Sequence, residues 1–132
     1  MKARLLLAAA AILAWLFGVM LLFNSRAFEA PMGIVLDDKT ATIAQAQGAI
    51  LLGLGLINWL ARGVTEDAAL RAVLWGNLLV QVASLAVAAR AMLVGIFPKG
   101  AIGAIVIHVV LGGAFAWALM RLRTQPQVSE SR

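Results

Sequence analysis

Four apolar runs, each about as long as a bilayer's hydrocarbon layer is thick, constrain this chain more than anything else in it. The first is "LLLAAAAILAWLFGVMLLF", residues 5–23, with no charged side chain. At about 1.5 Å per helical residue it reaches roughly 28 Å, the depth of a bilayer core. The second, 41–60, reads "ATIAQAQGAILLGLGLINWL" and the fourth, 101–120, reads "AIGAIVIHVVLGGAFAWALM". The third covers 68–94, with its hydrocarbon part at 72–89 between Arg71 and Arg90. Hydrophobic residues make up 63% of the 132 positions and charged ones 13%. A single small core cannot hide that much apolar surface, so lipid must solvate most of it.

The expected fold is therefore all-α: one polytopic domain whose four transmembrane helices run up-down-up-down through short connections. Lys2 and Arg4 before the first run resemble the start of a secretory signal. The run exceeds a signal's usual apolar stretch of about 7–15 residues, and no small-residue cleavage site follows, so it reads as a retained helix. Asp37, Asp38 and Thr40 are suited to capping the second helix, and Thr65, Glu66 and Asp67 the third. Gly95 and Pro98 should end the third helix. The polar tail 124–132 has the composition of a disordered segment.

Charge gives the orientation. The termini and the second connection hold Lys2, Arg4, Arg62, Arg71, Arg121, Arg123 and Arg132. The first and third connections hold Arg26, Lys39, Arg90 and Lys99. Basic residues favour the cytoplasmic side, which places both termini there. The same placement explains the net charge of +5 without nucleic acid, because the cations sit singly at the ends of apolar runs. The first connection, 24–40, is too apolar for a free loop and should lie along the outer interface or cap the bundle. Its Glu29, Asp37 and Asp38 would then offer a carboxylate to Arg90.

Every span carries small residues four apart: Ala10, Ala14 and Gly18; Ala44 and Gly48, or Ala49 and Gly53; Gly100, Ala104, Gly112 and Ala116. Such stripes let helix backbones approach where lipid removes the hydrophobic driving force. The polar residues inside the spans follow a pattern too. Asn77, Gln81 and Ser84 share one face of the third helix, and Gln47 and Asn58, eleven residues apart, share a face of the second. Counted from the outer helix ends, Gln47, His108, Gln81 and Ser84 lie about 9, 10, 12 and 8 Å deep. They form a candidate polar layer, with Asn58 and Asn77 nearer the cytoplasmic side.

Two readings of that layer compete. In one, the side chains hydrogen-bond across helices and fix register, each bond contributing about 0.6 kcal/mol. In the other, His108, the only histidine, binds haem, a pigment or a quinone, or relays protons. A single histidine excludes bis-histidine haem within one chain. The absence of cysteine excludes thiol redox chemistry and cysteine-based metal sites. No acidic residue lies within a span, which argues against a proton-coupled carrier and removes the first-helix glutamate of the small multidrug antiporters. No enzyme motif is present: "GLGL" at 53–56 lacks the strand and loop of a phosphate-binding turn, and neither Ser25 nor Ser84 has a base with an orienting acid. Trp59 suits an interfacial anchor, and Trp15, Trp75 and Trp117 suit packing or lipid contact.

The first span ends in "FNSRAFEAPMGI", the second opens on "AQAQGAILLGLGLINWLAR", and the third contains "LRAVLWGNLLV". In this, over about residues 5–122, the chain resembles the small four-helix bacterial membrane proteins of the DoxX-like kind. The resemblance implies a bacterial inner-membrane bundle. Some members are named as subunits of quinone-linked oxidoreductases, most have no established activity, and none supplies a catalytic residue to carry over. Two functions are therefore open: a non-catalytic accessory or assembly subunit of a larger membrane complex or homo-oligomer, and a quinone-, haem- or pigment-binding protein using the polar layer.

Overall fold

The computed structural model describes residues 2–123, and the polar tail falls outside them. Four helices account for most of the described residues: α1, Lys2–Glu29; α2, Asp38–Ala61; α3, Asp67–Leu93; and α4, Ile102–Arg123. Each is long and apolar enough to cross a membrane, which marks the chain as a membrane protein. Their outer faces fit that solvent. Leu16, Phe23, Ile50, Leu79, Val87 and Val110 all stand exposed, as lipid-facing side chains do.

The helix ends follow local chemistry. Asp37 caps α2: its carboxylate accepts from the Thr40 backbone N–H at 2.8 Å and from the Thr40 hydroxyl at 2.6 Å. The first of these bonds satisfies an amide with no intrahelical partner. The expected cap of α3 is absent, because Glu66 occupies the cap position without a side-chain bond. Asp67 in the first turn still complements the helix dipole. Gly95, at φ +74°, ends α3 where a side chain would be strained.

α1 continues past the expected boundary at Phe23. Asn24 departs from helical geometry, at φ −147° and ψ 41°, and the chain resumes as helix to Glu29. The kink lets Phe28 meet Phe17 edge to face at 5.5 Å. A 3-10 turn follows at Ala30–Met32, closed by Gly33 at φ +81°. Of the two roles expected of the connection, the structure shows the cap, made by Gly33 and Met32, and it leaves Val35 exposed.

The helices pair as two antiparallel hairpins. In the first, Gly48 of α2 lies directly on the α1 backbone; a Cβ there would stand 2.6 Å from Leu22 N and 2.7 Å from Gly18 O. One turn pair further on, Gly55 makes room for the indole of Trp15. In the second hairpin, Gly112 of α4 faces the Gln81 side chain of α3. The hairpins join at the end that carries the termini, through buried Leu7, Ala10, Ala61, Leu74, Phe115, Ala118 and Leu119. At the opposite, distal end their connections touch, where Gly100 packs on the Met32 backbone and Gly33 on Pro98.

Candidate functional site

α2 and α3 place Asn58 and Asn77 opposite each other at the seam between the hairpins, both almost fully buried. Asn58 Nδ2 donates to Asn77 Oδ1 at 2.9 Å, and Asn77 Nδ2 donates to Asn58 Oδ1 at 2.6 Å. The second N–H of Asn77 reaches the Val73 carbonyl one turn earlier, at 2.9 Å. The two carboxamides therefore form a closed reciprocal pair, which fixes the depth of one hairpin against the other. Sequence position gave their matching depth but not their partnership. The signal was available: two asparagines on adjacent antiparallel helices at one level are natural partners for each other.

A second pair joins α3 to α4, with His108 Nδ1 and Gln81 Oε1 2.8 Å apart. An amide oxygen only accepts, so the imidazole donates from Nδ1, and Nε2 takes no part in this bond. Gln81 is buried and His108 half-buried. Among the described residues no buried side-chain nitrogen or oxygen lacks a hydrogen-bond partner.

The structure brings together only part of the expected polar layer. Gln81 and His108 meet, and Ser84, half-buried one turn along α3, makes no side-chain bond to them. Gln47 is exposed and lies outside the layer. It does share a face with Asn58, but the cover of that face thins along α2. Asn58 is buried, Leu54 and Leu51 are half-buried, and Gln47 is uncovered. Gly48 draws this half of α2 onto α1, leaving α3 as a neighbour only near Asn58.

The expected pairing of Arg90 with a carboxylate is also overturned. Asp38 instead pairs with Arg26, the one ion pair among the described residues. Asp37 spends its carboxylate on Thr40. Arg26 adds a bond from Nε to the Leu36 carbonyl at 3.3 Å, so it closes the turn between α1 and α2. Arg90 stands exposed at the distal end of α3. Both aspartates are thus local fasteners of the first hairpin.

The sequence alone did not single out the place where α1 and α2 end beside each other, at the terminal end. There Arg4, Leu5, Ala8, Trp59, Leu60, Arg62 and Gly63 line an open cleft of about 460 Å³. Its residues come from two stretches more than fifty positions apart in the chain, and only the hairpin unites them. No protein-family model, curated protein or solved structure matches the chain.

Proposed function

We propose that this protein is a non-catalytic accessory or assembly subunit of a larger membrane complex, held in a bacterial inner membrane with both termini in the cytoplasm. The DoxX-like resemblance agrees with that reading. The observation that carries it is the closure of the interior: the buried amides bond to each other, and no buried polar atom among the described residues is left for a substrate. Catalysis requires polar groups held ready for a reacting molecule, whereas a scaffold satisfies its own. Gly53, Gly76, Gly103 and Gly113 meanwhile face outward with open space about them, where another helix can approach closely.

Gentle detergent extraction of crosslinked native membranes tests this. The expected result is a defined set of membrane subunits recovered with the chain, and lost when Gly76 and Gly103 are replaced by Leu. Recovery of the chain alone would overturn it.

A second reading rests on His108 Nε2, which is left over after the bond to Gln81. That nitrogen suits a haem or pigment metal, or a quinone with a hydroxyl to donate. An absorbing group or a quinone in the purified protein, lost in His108→Ala, would favour it over the scaffold.

A further inference from the structure

The cleft at the terminal end has a composition that neither the packing of the bundle nor a scaffold role explains. Its walls include the apolar side chains of Leu5, Ala8 and Leu60, and its charged members are two arginines, Arg4 and Arg62. Among the described residues neither arginine has a carboxylate within ion-pair distance, since the one ion pair there is Arg26–Asp38 at the other end of the molecule. Glu66 and Asp67, in and after the same connection, do not line the cleft.

Arg62 is held in place before any ligand arrives. Its guanidinium lies over the Trp59 ring at 3.4 Å, and its Nε donates to the Trp59 carbonyl at 3.0 Å. Trp59 itself rests against Trp15, with ring centroids 5.4 Å apart, and Trp15 is seated on Gly55. Stacking uses the face of a guanidinium and leaves its edge, with the two terminal nitrogens, for an anion. A planar fork of this kind matches phosphate oxygens in a bidentate way.

Depth selects the anion. Trp59 and Arg62 belong to the last turn of a membrane-length helix and its cap, and Arg4 to the first turns of its neighbour. Indole and guanidinium at such a level sit among lipid headgroups. Leu5 and Leu60, exposed by 67% and 66%, give the cleft an apolar rim suited to acyl chains. A volume of about 460 Å³ lies within the usual size of a small-molecule site and exceeds what a bare phosphate needs.

We infer that this cleft is a binding site for the phosphate headgroup of an anionic phospholipid, held between Arg4 and Arg62, with its acyl chains along Leu5 and Leu60. The site is independent of the subunit reading, since it needs only the hairpin of α1 and α2 in a bilayer. An anionic lipid there would tie the two helix ends together at the membrane surface.

Native mass spectrometry of the full chain in detergent, titrated with phosphatidylglycerol or phosphatidylcholine, measures it. Two arginines at the surface should favour the anionic lipid on the order of thirty-fold, and Arg4→Gln or Arg62→Gln should each weaken it about five-fold. Arg90→Gln, at the distal end, should leave the affinity unchanged. Wild-type binding should weaken as salt rises from about 0.05 to 0.5 M, a readout that needs no variant to fold. Equal binding of the two lipids, salt-insensitive binding, or unchanged affinity in both glutamine variants would each overturn the proposal. Inorganic phosphate should not raise the melting temperature. If it matched phosphatidylglycerol, the site would belong to free phosphate and the lipid assignment would fall.

Discussion

Asn58 and Asn77 each have a carboxamide whose donor and acceptor are both used by the other, so removing one strands the second in a dry interior. A buried polar group without a partner costs about 1–3 kcal/mol, whereas loss of both partners together costs much less. Asn58→Ala and Asn77→Ala should therefore each destabilise the protein, and the double variant should lose less than their sum. The expected coupling is about 0.6–1.7 kcal/mol, the range found between membrane helices. Equilibrium unfolding in mixed micelles measures all four proteins, and strictly additive losses would refute the pair. Single residues show both what the sequence reveals and what it hides. Helical arithmetic put Asn77 and Gln81 on one face, and both are buried there. The same arithmetic put Gln47 on the face of Asn58, three turns away, yet Gln47 is exposed, because register says where a side chain points and nothing about how far the next helix extends.

Between elements, glycine decides the contacts. Gly48 and Gly53 both stood in small-residue stripes of α2, and only the structure separates them. A Cβ at Gly48 would collide with backbone atoms of α1 that cannot move aside, whereas a Cβ at Gly53 meets nothing within 4 Å. Gly48→Ala should cost about 1–3 kcal/mol of stability as an overpacked contact. Gly53→Ala should be neutral or slightly stabilising, because alanine is the better helix former. Melting temperatures of the two variants provide the comparison, and equal effects would contradict the hairpin. Hydrophobic patterning could not choose between these glycines. Leu52, beside the α1 contact, and Ile50, facing outward, are equally apolar, so no polar face orients the helix.

The cap of α2 depends on pH. Hydrogen bonds from the Thr40 side chain and backbone hold the Asp37 carboxyl below its ordinary value. A lowered value means that the folded protein favours the charged form. The stabilisation is then complete above the unfolded carboxylate pKa of about 3.9, and is lost as pH falls through the lowered folded value. Asp37→Ala should lower the melting temperature at neutral pH and have little effect near pH 2. A gap between the two proteins that is the same at both pH values would show that the carboxylate's charge plays no part.

In the whole molecule, two hairpins meet firmly at the terminal end and lightly at the distal one. The number and positions of the spans were legible in the sequence because each apolar run matches the bilayer. The division into hairpins was not legible, since it depends on Gly48 and Gly55 pulling α2 onto α1 rather than onto α3. An even number of spans should place both termini on one side, and the basic residues should choose which. Arg62 and Arg71 supply two of the seven cations that outweigh the four in the other connections. Replacing both by glutamine leaves a difference of one, with Lys2, Arg4, Arg121, Arg123 and Arg132 set against Arg26, Lys39, Arg90 and Lys99. The wild-type chain should insert in a single orientation with its termini in the cytoplasm, and the double variant in both orientations. Paired C-terminal fusions, one active only in the cytoplasm and one only outside it, read this directly. Wild-type activity in the outside reporter would reverse the assignment. An unmixed double variant would show that insertion of α1, led by Lys2 and Arg4, fixes the orientation before the second connection is made.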